Sequence, residues 1–86
     1  MKTKDVLEII IAGLVLNPQK VKINEKLTEM GMVYEIECDP SDRKFIIGKK
    51  GSTFRSLLTI ARKIGAKNKQ AVYLKIKEEN EPKNKK

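Results

Sequence analysis

Ile46-Ile47-Gly48-Lys49-Lys50-Gly51-Ser52-Thr53-Phe54 is the stretch on which the fold of this chain turns. A short apolar run, Phe45-Ile46-Ile47, leads into two glycines that bracket two lysines, and a segment with helical periodicity begins at Ser52. A four-residue turn of this kind gathers backbone N–H groups and two cations at one point. That combination suits a phosphate, because helix N-termini and tight glycine turns expose amide hydrogens that favour anions.

Working outward, the turn sits in the only strongly basic part of the chain. The 86 residues carry a net charge of +8. Arg43, Lys44, Lys49, Lys50, Arg55, Arg62, Lys63, Lys67 and Lys69 place nine cations between positions 43 and 69, with no acid among them. Residues 1–42 hold five cations against eight acids, and residues 78–86 balance three lysines against three glutamates. The positive excess is therefore concentrated around the glycine turn. A one-sided basic field attracts polyanions and makes their binding salt-dependent through counterion release.

Composition excludes several functions. Cys38 is the only cysteine and there is no histidine, so an internal disulfide, a zinc cluster and histidine-based catalysis are all disfavoured. No cofactor, metal or catalytic residue is expected. The apolar stretch Ile9–Leu16 is too short to span a bilayer, and Asp5 and Glu8 interrupt a signal-peptide pattern. A cytoplasmic protein is the natural expectation. Eighty-six residues make one small domain, burying about 60–65% of the surface of the unfolded chain.

Periodicity supplies the elements on either side. Residues 4–16 repeat apolar positions at helical spacing, and Asn17-Pro18 ends that run. Val21 and Ile23 alternate with polar residues as a short strand, with a connection over Leu27–Gly31. Met32, Tyr34, Ile36 and Cys38 form the inward face of the clearest strand. Asp39-Pro40-Ser41-Asp42 reads as a helix start, Asp39 capping and Pro40 in the first turn. That helix of about seven residues stops at Gly48. A second helix is expected from Ser52 to Ile64, with Phe54, Leu57, Leu58, Ala61 and Ile64 on one face and Gly65 beyond its end. Val72, Leu74 and Ile76 face inward on a last strand, with Tyr73 on the open face. The expected domain covers residues 1–77. Residues 78–86 lack apolar side chains and read as a disordered charged tail. The elements call for an α+β, two-layer fold: helix, strand, strand, helix, helix, strand, with one three-stranded sheet and three helices on one face.

Ile46-Ile47-Gly48-Lys49-Lys50-Gly51-Ser52-Thr53-Phe54 resembles the signature of KH domains, Ile-Gly-x-x-Gly followed after two residues by a large apolar residue. The helix–strand–strand segment ahead of it resembles the type II arrangement with a mixed sheet. Over residues 4–77 the chain is similar to the small stand-alone bacterial KH proteins of the KhpA family, from the opening helix and Asn17-Pro18 to the Asp39-Pro40 start. Two departures stand out: Phe54 replaces a more usual aliphatic residue, and residues 78–86 extend past the typical end.

The resemblance implies a non-catalytic RNA-binding protein whose turn clamps about four nucleotides of a single strand, with weak sequence preference. The RNA-binding residues it implies are Ile47, Gly48, Lys49, Lys50, Gly51, Ser52, Thr53, Phe54 and Arg55. Gly48 and Gly51 permit the tight backbone, Lys49 and Lys50 carry charge to the tip, and Ser52 or Thr53 caps the next helix or bonds phosphate. Ile47 floors the nucleotide groove, Phe54 belongs either to that floor or to the core, and Arg55 contacts phosphate. The family also implies self-association, for which Ile60 and Ile64 are the candidate surface, and a larger KH/Jag-type partner resembling KhpB. The competing expectation is an interaction adaptor that uses the same fold mainly to dock proteins.

Overall fold

The computed structural model describes residues 2–77; the expected tail at 78–86 lies outside the described residues. The order of elements is α1 (Thr3–Ala12), β1 (Lys22–Thr28), β2 (Gly31–Glu37), α2 (Arg43–Ile47), α3 (Ser52–Lys67) and β3 (Val72–Ile76). Short 3-10 turns precede β1 at Pro18–Lys20 and α2 at Pro40–Asp42, and a third covers Lys49–Gly51. β1 and β2 pair antiparallel, with Ile23 opposite Ile36, and β2 pairs parallel with β3, with Ile36 opposite Ile76. The sheet is thus mixed, in the order β1-β2-β3, and the helices cover one face. This is the two-layer α-β-β-α-α-β arrangement expected from the sequence.

Alternation along the strands explains the layers. Ile23, Tyr34, Ile36 and Val72 point into the core, where Leu7, Ile11, Ile46, Leu57 and Ala61 of the three helices meet them. Each fully buried Leu or Ile contributes about 1.5–3 kcal/mol. The open face carries the alternate residues, including Glu35 and Glu37, which pair with Lys75 and Lys77 across the parallel ladder at 3.8 and 3.7 Å.

Three boundaries differ from the periodicity. α1 ends at Ala12, not Leu16. The chain leaves the helix there because the backbone amides of Leu16 and Asn17 are committed elsewhere, to the carboxylate of Asp42 at 3.2 and 3.0 Å. The Asn17 side-chain amide also donates to Asp42, at 3.1 Å. β1 runs on to Thr28, leaving Glu29-Met30 as a two-residue turn; Leu27 and Met30 are exposed. α3 continues through Gly65 to Lys67. Gly65 is a contact residue rather than a helix stop, since a Cβ there would lie 2.4 Å from a Val72 methyl and 2.6 Å from the Gln70 carbonyl oxygen. Its missing side chain lets α3 lie directly against the start of β3.

Candidate nucleic-acid interface

The two helices around the glycine turn are set by different devices. Before α2, the Asp39 carboxylate accepts from the Ser41 backbone at 2.9 Å and from its hydroxyl at 2.7 Å. The nearby Lys20 ammonium lies 3.9 Å away. These Ser41 bonds, foremost, hold the Asp39 carboxyl below the ordinary carboxylate range. Asp42, the last residue of that helix start, faces inward. It is fully buried and ties Leu16 and Asn17, in the segment that follows α1, to the start of α2 through three accepted hydrogen bonds. An unpaired carboxylate could not be buried so deeply without a large penalty.

α2 stops at Gly48, whose φ of 76° and ψ of 175° lie in a region open in practice only to glycine. A Cβ at Gly48 would also fall 2.2 Å from the Thr53 hydroxyl oxygen and 2.7 Å from its backbone nitrogen. The Gly51 amide donates to the Gly48 carbonyl at 3.1 Å and closes the turn. Gly51 itself is left-handed (φ 78°, ψ 12°), and so is Lys50 (φ 55°, ψ 28°). A left-handed lysine is unfavourable for an L-residue by about 1–2 kcal/mol. Here the Arg55 guanidinium, through Nη1, donates to the Lys50 carbonyl at 2.7 Å and braces it.

The loop therefore presents Lys49 and Lys50 outward, both exposed. Among the described residues neither is ion-paired. Behind them α3 begins on Gly51 with no side chain capping it. Of the two roles expected for Ser52 or Thr53, capping the helix or bonding phosphate, the first is not met: Ser52 is the first helical residue, and the Thr53 side chain packs against Gly48. Ile47 and Phe54 are both half-buried and lie outside the fully buried core. The nearby Lys44 ammonium sits over the Phe45 ring, 5.3 Å from its centre.

A family model described as the KH domain of KhpA/KhpB matches residues 4–76. The chain belongs to the KhpA/KhpB KH-domain family. It is 39% identical over 75 residues to the RNA-binding protein KhpA of Aquifex aeolicus, covering 87% of this chain and 95% of that one. It is 34% identical over 76 residues to the RNA-binding protein KhpA of Chlamydia pneumoniae, covering 88% and 97%. Its fold also matches a crystal structure of an Era variant from Aquifex aeolicus bound to GDP and AlF4⁻, with a TM-score of 0.56 and 24% identity. That match covers 90% of this chain and 31% of the Era chain, and it speaks to the fold alone.

Within this KhpA/KhpB KH domain, the glycine turn, Ser52, Thr53, Phe54 and Arg55 occupy one continuous stretch from the end of α2 into the first turn of α3. Ile60 is 37% exposed and Ile64 is half-buried, both farther along α3. Sequence reasoning missed the Arg55 brace and the Asp42 tie. The first has a signal only in retrospect, an arginine five residues after the left-handed position. The second joins positions 25 and 26 residues apart, which no local pattern reveals. No group of three potential metal ligands occurs among the described residues, and none of their helices is long and apolar enough to cross a membrane.

Proposed function

We propose that this protein is a non-catalytic RNA-binding module that grips the backbone of a short single strand at Gly48-Lys49-Lys50-Gly51. The observation that carries this reading is the geometry of the loop: three special backbone conformations within four residues hold two lysines, neither ion-paired among the described residues, at the open start of a helix. The names of its KhpA relatives support RNA as the polyanion. Phosphate would meet the lysine ammonium groups and the first amides of α3, where the helix dipole adds partial positive charge. Arg55 serves the grip chiefly by fixing the Lys50 carbonyl, and its remaining N–H groups face solvent beside the loop. Ile47 and Phe54, half-buried next to it, are the apolar surfaces offered to bases.

Binding to fluorescent single-stranded RNA across a salt series tests the clamp. Lys49→Ala/Lys50→Ala should lower the slope of log affinity against log salt by about 1.4, two phosphate contacts at roughly 0.7 each for single strands. Lys49→Asp/Lys50→Asp should abolish binding with an unchanged circular dichroism spectrum. Wild-type affinity in the charge-reversed protein would remove the clamp.

One domain that touches few nucleotides gains avidity when two are linked. Ile60 is an exposed isoleucine on α3, and it supports pairing through this surface, with Ile64 beside it, either with a second copy or with a KhpB-like partner. Sedimentation of Ile60→Asp should show a weakened self-association, and an unaltered association constant would take Ile60 out of the surface.

A further inference from the structure

At the end of α3 away from the glycine turn, the start of α1 meets β1, β2 and the loop that follows α3. A cavity of about 320 Å³ opens there, and its wall includes Lys2, Thr3, Glu25, Tyr34 and Gln70, with Met32 as an apolar patch. The 16 residues of α3 separate it from the glycine turn, about 24 Å at the helical rise. Thr3 and Tyr34 are only 6% and 4% exposed. Among the described residues no hydrogen bond reaches either hydroxyl, and neither oxygen is sealed from solvent. Buried hydroxyls ordinarily have a partner, and here the cavity is where one can reach them.

The rest of the wall favours an anion. α1 is ten residues long, and no side chain caps its start. Its first backbone bond runs from the Val6 amide to the Lys2 carbonyl at 3.1 Å. The amides of Thr3, Lys4 and Asp5 therefore carry the positive end of the helix dipole with no intrahelical acceptor. Lys2 adds an ammonium group at the same end, while Lys4 and Asp5 offset each other. Glu25, directly across the ladder from Tyr34, sets a condition on the ligand. Its exposed carboxylate is an acceptor only, so it repels a fully ionised anion and accepts from one that carries a proton.

We propose that this cavity holds a phosphate group that carries a proton. Its charged oxygens accept from the α1 amides, from Lys2 and from the Thr3 and Tyr34 hydroxyls, and its P–OH donates to Glu25. Gln70 offers a side-chain amide to a further oxygen. Inorganic phosphate carries such a proton at neutral pH. The terminal phosphate of an oligonucleotide does so in part, since the second pKa of a phosphate monoester is about 6. Sulfate is of similar size and shape but has no proton to give.

The test titrates the full isotope-labelled chain with sodium phosphate or sodium sulfate at constant ionic strength, read by amide chemical shifts. Phosphate should shift Thr3, Lys4, Asp5 and Gln70 saturably and bind roughly tenfold more tightly than sulfate, the scale of one hydrogen bond to a charged group. Tyr34→Phe keeps the ring in the core and should weaken phosphate by a similar factor. Glu25→Gln should erase the preference, because an amide can donate to sulfate. Shifts at Gly48–Gly51 belong to the loop and are scored apart: Lys49→Asp/Lys50→Asp should remove them and leave those at α1. A dinucleotide with a 5′-phosphate and its 5′-hydroxyl counterpart identify the source. Shifts at α1 with the first alone assign the cavity a strand terminus, and shifts with neither assign it the free ion. Unsaturable shifts at α1, equal affinity for phosphate and sulfate, or equal shifts from both dinucleotides would overturn the site. So would phosphate binding that is unaltered in both Tyr34→Phe and Glu25→Gln.

Discussion

The two glycines of the loop look equivalent in sequence, yet the structure gives them different burdens, and alanine substitution should separate them. At Gly48 an alanine meets two obstacles. Its φ of 76° and ψ of 175° are strained for any L-residue, at about 1–3 kcal/mol. Its Cβ would also sit 2.2 Å from the Thr53 hydroxyl and 2.7 Å from the Thr53 backbone nitrogen, a collision that rotation of one side chain cannot relieve. Overpacking of that kind adds about 1–3 kcal/mol, for a total near ~4 kcal/mol. At Gly51 the backbone is plainly left-handed, costing about 1–2 kcal/mol. The only atom close to a Cβ there is the far end of the Arg55 side chain, at 3.1 Å, which can move. The unfolded-state effect of Gly→Ala is the same at both sites and cancels in the comparison. Gly48→Ala should therefore be less stable than Gly51→Ala by about 2 kcal/mol or more. A domain of this size holds roughly 4–12 kcal/mol in all. Urea unfolding followed by far-UV circular dichroism reads the difference directly. With a slope of about 1–2 kcal/mol per molar urea, the two midpoints should lie about 1–2 M apart. Midpoints that coincide, with equal slopes, would refute the assigned roles of Gly48 and Thr53.

Other substitutions probe the supports of the loop. Gly65→Ala gains about 1 kcal/mol of helix propensity but drives a Cβ into Val72 and the Gln70 carbonyl, so the net should be a loss of about 1–2 kcal/mol and a fall in Tm of roughly 5–15 °C. A raised Tm would show that α3 and β3 have room to part. Asp42→Ala strands three donors on Leu16 and Asn17, and should cost about 2–4 kcal/mol. Its specific signature is amide exchange, which should speed up at Leu16 and Asn17 more than in β2; uniform acceleration would point to global loss of stability instead. Glu37 has a carboxyl held low, first by the hydrogen bond from the Asn24 side chain and then by Lys77 and Lys22. A depressed carboxyl stabilises the fold fully above the ordinary glutamate range and ceases to do so as pH falls through the lowered value. Acid unfolding of Glu37→Gln should thus be shallower than that of the wild type between about pH 5 and pH 3, and identical acid profiles would remove Glu37 from the linkage.

What could be read in the sequence was whatever repeats at short range. The inward alternation of Tyr34 and Ile36, the Asp39-Pro40 helix start and the glycine bracket each depend on neighbours within four residues, and all appear where expected. The misplaced boundaries share a cause. Periodicity extended α1 to Leu16, but a carboxylate 26 residues away claims the Leu16 amide. Gly65 read as a helix stop because glycine usually ends helices, whereas here it is kept small by a strand seven residues later. In both, a tertiary contact overrode a local preference. The same holds at the candidate site: the residue types were visible, but the left-handed Lys50 and the Arg55 bond that holds it were not.

That arrangement also gives the clamp proposed above a physical reason to grip a strand without reading it. Its shape is stored in backbone conformation: a Gly-only angle at Gly48, left-handed turns at Lys50 and Gly51, and one guanidinium brace. The lysine side chains are left out of that framework and stay exposed. Each therefore offers a flexible point charge, which matches any phosphate and carries no base-edge pattern. Little ordering of the loop remains to be done on binding, so its fixed amides lose less entropy than a mobile loop would. Removing the two lysine charges should therefore weaken the binding of any single strand by about the same factor, whatever its bases.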